Sequence, residues 1–236
     1  MHLFVVPDTT AQYATLPPDE SKHCVRVLRL GMGDEVYVAS GDGTMCRAII
    51  AVPDTSACEV EIVERMENYG GGGCNLHIAV APTKNVARLE WFVEKAVEMG
   101  VSRITPLVCE RSERVSLKAD RLRRIALSAM KQSLQAYCPV IDEPTAMSKL
   151  LGTLPDGQQR FICHCDGDDR KSLGQLYARG SDAIVLVGPE GDFSPQEVVA
   201  AKEIGFLPVT LGGHRLRTET AALYATAAID FMNDNK

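Results

Sequence analysis

Short apolar runs with polar residues at alternate positions fill the first third of the chain. Leu3–Val6, Glu35–Ala39, Cys46–Ala51 and Cys58–Glu64 each predict a strand, and Gly-Asp, Gly-Asp-Gly and Pro-Asp turns separate them. One short helix is expected from about Ser21 to Leu28. The pattern stops at glycines 70–73. Four consecutive glycines support neither strand nor helix, so residues 71–74 read as a linker.

Beyond the linker the period switches back and forth between strand and helix. Leu76–Ala81, Arg103–Cys109, Arg160–Cys165, Ala183–Val187 and Leu207–Leu211 predict strands. Between and after them, Asn85–Met99, Asp120–Gln135, Leu173–Ala178, Pro195–Ile204 and Thr218–Met232 predict helices. The Asn85–Met99 helix carries Leu89, Phe92, Val93, Ala96 and Val97 on one face. Such alternation implies a parallel sheet covered by helices on both faces. The fold class is therefore α/β, with a small β-barrel-like domain over residues 1–70 ahead of an α/β domain over 75–236.

Ligands of such sheets gather at the carboxyl ends of strands. Two glycine-bearing segments lie at such ends, VLVGPEGDFS (Val185–Ser194) and LGGHRLRTETAA (Leu211–Ala222). In the second, Gly212-Gly213 permits a sharp turn or a close approach to a ligand, and Thr218 is a candidate N-cap for the last helix. A glycine loop feeding a helix N-terminus suits a small polar ligand. No G-x-G-x-x-G fingerprint is present and no Lys-Ser/Thr follows a glycine run, which argues against nicotinamide and nucleoside triphosphate sites.

Composition changes this picture little: 45% hydrophobic and 24% charged residues are ordinary for a globular protein. No apolar run reaches membrane-spanning length, and MHLFVVPDTT lacks the basic start and apolar length of a signal peptide, so a cytoplasmic location is expected. The eight scattered cysteines are expected to be reduced. Cys163-His164-Cys165 has no second ligand pair at metal-site spacing and reads as buried strand cysteines. Asp166, Asp168 and Asp169 lack the downstream glutamate of a calcium loop and read as a solvated turn; no metal is expected.

The formal net charge of −6 argues weakly against nucleic acid, but the distribution is uneven. Residues 1–74 hold 5 Lys and Arg against 11 Asp and Glu, and the remainder is neutral. Local basic clusters nevertheless occur at Lys22, His23, Arg26 and Arg29, and across Arg111–Lys131. Either cluster is a solvated face or an RNA contact.

These residues together resemble the RsmE ribosomal-RNA methyltransferases of the SPOUT superfamily. The resemblance runs over nearly the whole chain, through HCVRVLRLGMGDEV (His23–Val36), Lys84, EKAVEMGVSRITPL (Glu94–Leu107), Glu110-Arg111-Ser112 and Lys118. It continues through AMKQS (Ala129–Ser133), Pro139, VGPEGDF (Val187–Phe193) and LGGHRLRTETA (Leu211–Ala221). It implies methylation of N3 of a uridine in small-subunit (16S) ribosomal RNA by S-adenosylmethionine. It also implies a PUA-like first domain, a knotted SPOUT α/β domain that ordinary chain-topology rules exclude, and a homodimer. The chain departs from the family pattern at three positions. The family commonly has glycine where Asp192 stands, a basic residue near Gln135, and an apolar residue at Arg215.

The resemblance turns the two loops into the walls of a methyl-donor pocket. Val187, Gly188, Glu190 and Gly191 are expected on one wall, and Leu211, Gly212, Leu216, Thr218 and Thr220 on the other. For Thr218, helix capping explains the residue equally well. Arg217 is the catalytic candidate, placed to stabilise charge on the uracil carbonyl oxygens, with an ion pair to Glu190 or Glu219 as the structural alternative. His23, Arg26, Arg29, Arg111 and Lys118 are the expected RNA contacts, and the acidic net charge favours an assembled ribosomal particle over loose RNA. The competing classes are a SPOUT enzyme acting on another RNA or base atom, and a non-catalytic RNA-binding assembly factor.

Overall fold

In the computed structural model, which describes residues 1–71, 73–165 and 170–234, alternate burial along the early strands builds the first core. The strands are β1 (Leu3–Val5), β2 (Tyr13–Thr15), β3 (Glu35–Ala39), β4 (Met45–Val52) and β5 (Glu59–Met66). They form one sheet in the order β1-β3-β4-β5-β2, antiparallel except for the β1–β3 pair. Phe4, Leu16, Val36, Val38, Ile50 and Val60 point into its core. Strand β2 escaped the sequence reading because three residues with one buried side chain show no period.

The expected first helix starts earlier and is wider than the usual α form. It opens with α1 (Pro18–Lys22) and continues as a π-helical turn over His23–Val27. Ser21 explains the anchoring: its buried hydroxyl donates to the Leu16 carbonyl at 2.8 Å and accepts the Cys58 N–H at 2.9 Å. Arg29 then takes a left-handed φ of 58°, which ends the turn.

The chain divides into two compact units, Met1–Gly71 with Leu127–Cys138, and Gly72–Ala126 with Pro139–Lys236. The segment Leu127–Cys138, which strand–helix alternation alone assigns to the second domain, thus groups with the first. The Lys131–Glu20 ion pair lies within that unit.

The second unit holds β6 (Leu76–Val80), α2 (Val86–Glu98), β7 (Arg103–Val108) and the start of α3 (Ala119–Gln132). After Pro139 come β8 (Val140–Ile141), β9 (Thr145–Ala146), α4 (Met147–Leu151) and β10 (Gln159–Cys163). The chain ends with β11 (Lys171–Ser172), α5 (Leu173–Leu176), β12 (Ala183–Val187), α6 (Pro195–Glu203), β13 (Leu207–Thr210) and α7 (Thr218–Asp234). The sheet runs β11-β13-β10-β12-β6-β7-β8 with every neighbour parallel, and β9 extends the pairing of β7.

β12 is buried along its whole length, as expected of a strand covered on both faces. Alternation sends Ile184 and Leu186 into a core with Met147 and Leu150 of α4, Ala201 of α6 and Phe206. Helices α2 and α5 pack instead on α7, which touches β6 and β12. The helix ends follow local chemistry. Asn85 caps α2, Ser194 and Glu197 form a capping box on α6, and α3 stops at Gln132 because Leu134 turns left-handed at φ 57°. Elements β8, β9, β11 and α4 are too short to show in the pattern of the sequence.

No helix among the described residues is long and apolar enough to cross a membrane. All eight cysteines are free thiols.

Candidate active site

The carboxyl ends of the adjacent strands β13, β10 and β12 converge on a cavity of about 420 Å³. Val187, Gly188, Pro189 and Glu190 line it from the end of β12. Leu211, Gly212, Leu216 and Arg217 line it from the loop between β13 and α7, and Thr218 from the start of α7. Cys163, His164 and Cys165 close it at the end of β10. The two glycine loops of the sequence therefore do share one site.

Each loop has its shape for a stated reason. A Cβ on Gly188 would lie 3.0 Å from the Phe193 ring, so any side chain there requires the ring to shift by a few tenths of an ångström. Gly212 sits at φ 126°, a conformation that side-chain-bearing residues avoid. Asp192 also takes a left-handed φ, 61°, and its carboxylate holds that strained position. Oδ1 accepts the Phe193 N–H and Oδ2 the Cys165 N–H, both at 2.8 Å. The two bonds account for aspartate at this left-handed position.

Thr218 is the first residue of α7, and its buried hydroxyl donates to the Gly188 carbonyl at 3.0 Å. The expected N-cap is thus a bond between the two walls. Thr220 is a correction. It is exposed and lies outside the cavity, because α7 turns it away from the wall that Thr218 faces. Gly191 lines not this cavity but an adjoining one, where its Cα packs beside Arg111.

Arg217 lines the cavity, is exposed, and forms no ion pair with Glu190 or Glu219. Those carboxylates have other partners. Glu190 Oε1 accepts the Lys84 N–H at 3.1 Å, while buried Glu219 faces Arg88 Nε at 3.7 Å. Sequence reasoning missed Arg88 and named Glu219 only as an alternative partner for Arg217. A carboxylate in the first turn of α7 is favoured by the helix dipole, and that position was the available clue.

The strand-end cysteines differ from the reading of a buried pair. β10 stops at Cys163, so Cys165 lies beyond the strand and is exposed. Burial pushes the Cys163 thiol up to about 12. Burial, followed by the Asp192 charge, also raises that of Cys165, against a lowering pull from Arg215. Neither is primed as a thiolate nucleophile near neutral pH. Asp166, Asp168 and Asp169 lie outside the described residues.

The basic clusters separate into committed and uncommitted charges. Arg111 Nη1 donates to the carbonyls of Gly191 at 3.0 Å and Phe193 at 3.3 Å, so this guanidinium braces the loop after β12. Arg121 pairs with Glu90, and Arg123 with Asp120 and Glu143. Lys118 is exposed and enters no ion pair among the described residues. In the first unit, His23, Arg26 and Arg29 are likewise exposed, with His23 edge-on to Phe4.

Known proteins are similar to this chain in sequence and fold. A family model described as RNA methyltransferase domain matches residues 73–230, and one described as RNA methyltransferase PUA domain matches 16–63. The chain is 30% identical to ribosomal RNA small subunit methyltransferase E of Aquifex aeolicus, over 94% of this chain and 96% of that one. A probable rRNA-methyltransferase from Porphyromonas gingivalis superposes with a TM-score of 0.91 at 40% identity, covering 99% of this chain and 98% of its own. Ribosomal RNA small subunit methyltransferase E from Neisseria gonorrhoeae, solved bound to S-adenosyl methionine, superposes at 0.89 with 28% identity and the same coverage.

Proposed function

The chain belongs to the RsmE family of RNA methyltransferases, and from that premise we propose that it methylates N3 of a uridine in small-subunit ribosomal RNA. It is an S-adenosylmethionine-dependent rRNA methyltransferase. The observation that carries the site assignment is the convergence of Val187–Glu190 and Leu211–Thr218 on one cavity at the strand ends, tied by the Thr218–Gly188 bond.

The residues present fit that cofactor. A cavity of about 420 Å³ is in the size range of small-ligand sites. Val187, Pro189, Val209, Leu211 and Leu216 supply apolar walls, while Glu190 and Glu219 bring carboxylates toward a cationic ligand. When bound, S-adenosylmethionine supplies a methyl group activated by its sulfonium. Val187, Gly188, Glu190, Leu211, Gly212, Leu216 and Thr218 would hold it; Gly191 shapes the loop through Arg111 rather than through the cavity.

Most of the catalysis by this chain is positioning, because an in-line transfer depends on alignment. Arg217 has no carboxylate partner among the described residues and reaches the cavity, so its charge is available to stabilise the uracil oxygens as the N3 proton leaves. His23, Arg26, Arg29 and Lys118 supply phosphate contacts. The net charge of −6 weakens loose attachment to free RNA and favours an assembled particle in the cytoplasm as substrate. The homodimer of this reading is supported by Trp91 on α2, and Tyr224 and Phe231 on α7, large apolar side chains left exposed on helices that pack together.

Nucleoside mass spectrometry of 16S rRNA from a deletion strain tests the reading. 3-Methyluridine should disappear and return with the wild-type gene, but not with Arg217→Ala, whose protein should still fold and bind S-adenosylmethionine. Unchanged 3-methyluridine in the deletion strain, with loss of another modified nucleoside, assigns a different target. Normal methylation by Arg217→Ala removes Arg217 from the reaction.

A further inference from the structure

A second cavity, of about 550 Å³, adjoins the first and shares Cys165, Arg170, Asp192, Gly212, His214 and Arg215 with it. Among the described residues, Arg111, Arg170 and Arg215 line it beside the carboxylate of Asp192. Three of these four charges are committed in the fold. Both oxygens of Asp192 accept backbone N–H groups, Arg111 braces Gly191 and Phe193, and Arg170 Nη1 donates to the His164 carbonyl at 3.0 Å. Arg215 is exposed and makes no hydrogen bond or ion pair with a described residue.

The backbone beside it is open. A Cβ built on Gly212 or Gly213 would meet nothing within 4 Å, so a ligand chain can approach the loop closely. A guanidinium with no hydrogen-bond or ion-pair partner among the described residues, beside bare backbone in a cavity that shares a wall with the methyl-donor site, suits an anionic group attached to the reacting molecule. A phosphodiester is that group in an RNA strand, and arginine matches its fork of oxygens.

We propose that Arg215 binds a phosphodiester flanking the target nucleotide, and that the second cavity seats one nucleotide turned out of the RNA stack with its base toward the shared wall. The proposal rests on the RNA-methyltransferase reading above. It makes Arg215, which lines both cavities, a substrate-positioning residue.

The test uses the full chain with Arg215→Gln and Arg215→Lys. Three measurements are compared with wild type: S-adenosylmethionine affinity by calorimetry, binding of small ribosomal subunits across a salt series, and steady-state methylation. Arg215→Gln should raise KM for the particle about tenfold, with smaller changes in kcat and in methyl-donor affinity. It should also flatten the slope of log affinity against log salt by about 1, the amount expected for one lost phosphate contact. Arg215→Lys should recover most of the slope. An unaltered slope in Arg215→Gln overturns the proposal, as does a loss confined to methyl-donor binding. If wild type binds the particle but makes no methylated nucleoside, the functional reading fails, while the slope comparison still decides for or against Arg215.

Discussion

Thr218 Oγ1 donates to the Gly188 carbonyl oxygen across 3.0 Å, joining the start of the last helix to the loop after β12. Thr218 is buried, so its loss as a donor leaves the Gly188 carbonyl without its hydrogen-bond partner. Thr218→Val keeps the shape and removes the hydroxyl. It should cost about 1–3 kcal/mol, lower the melting midpoint by about 2–4 °C for each of those, and weaken S-adenosylmethionine binding several-fold. Thr218→Ser should behave like wild type. An unchanged midpoint and affinity in Thr218→Val would show that the two walls do not depend on this bond.

Asp192 sets a backbone cost against a side-chain gain. Its left-handed φ of 61° costs on the order of 1 kcal/mol for a residue with a Cβ. Its carboxylate accepts two backbone hydrogen bonds, each worth about 1.5–3 kcal/mol when charged. The bonds outweigh the strain. Stability in urea should therefore fall in the order wild type, Asp192→Gly, Asp192→Ala, since alanine keeps the strain and loses the bonds. Alanine equal to or above glycine would mean that the strain is negligible.

Arg111 and Arg26 looked alike as basic residues in the sequence, and the structure gives them different surroundings. Arg111 holds the carbonyls of Gly191 and Phe193, whereas Arg26 is exposed in the first unit. Arg111→Ala should weaken methyl-donor binding by roughly tenfold, the scale of one charged hydrogen bond. Arg26→Ala, Arg29→Ala and Lys118→Ala should leave methyl-donor binding alone and each reduce the salt slope of RNA binding by about 1. Calorimetry together with a salt series separates the two groups. The assignment of Arg111 to the loop fails if its variant loses only salt slope.

How much of this was legible follows from the range of the interactions involved. β12 and α2 were readable because a continuous apolar strand and a 3.6-residue stripe are local patterns. The carboxyl-end placement of the two loops then came from the strand–helix alternation. Arg88–Glu219, Arg111–Gly191 and Asp192–Cys165 join residues far apart in the chain, and no local pattern encodes them. Thr220 was misplaced for a related reason. Membership in a motif says nothing of helical phase, and two residues along α7 from Thr218 is the far side. Residue type alone marked Arg111 and Arg121 as basic, while their partners lie elsewhere in the sequence.

His77 ties pH to stability away from the methyl-donor site. Its Nε2 lies 2.7 Å from Thr105 Oγ1, whose hydroxyl donates to Asp142, so the neutral ring donates to Thr105. Arg103 grips the same carboxylate, Nε to Oδ2 at 2.8 Å and Nη2 to Oδ1 at 2.9 Å. Burial first, and the Arg103 charge second, lower the His77 pKa from 6.5 to about 4, against an opposing pull from Asp142. The unfolded chain therefore takes up this proton more readily than the folded one. Stability is unaffected by His77 above about pH 6.5, falls as pH drops toward about 4, and loses nothing further from it below that. The full loss is at most roughly 3 kcal/mol. Asp142, held low by Arg103 and Thr105 although burial raises it, loses its contribution only at more acidic pH, below its ordinary 3.8. Melting midpoints of wild type and His77→Gln from pH 7.5 to 4.5 should run parallel at the alkaline end. They should converge or cross as pH falls, because glutamine keeps a donor to Thr105 and cannot titrate. Curves that stay parallel down to pH 4.5 would show that His77 ionises as easily in the fold as outside it.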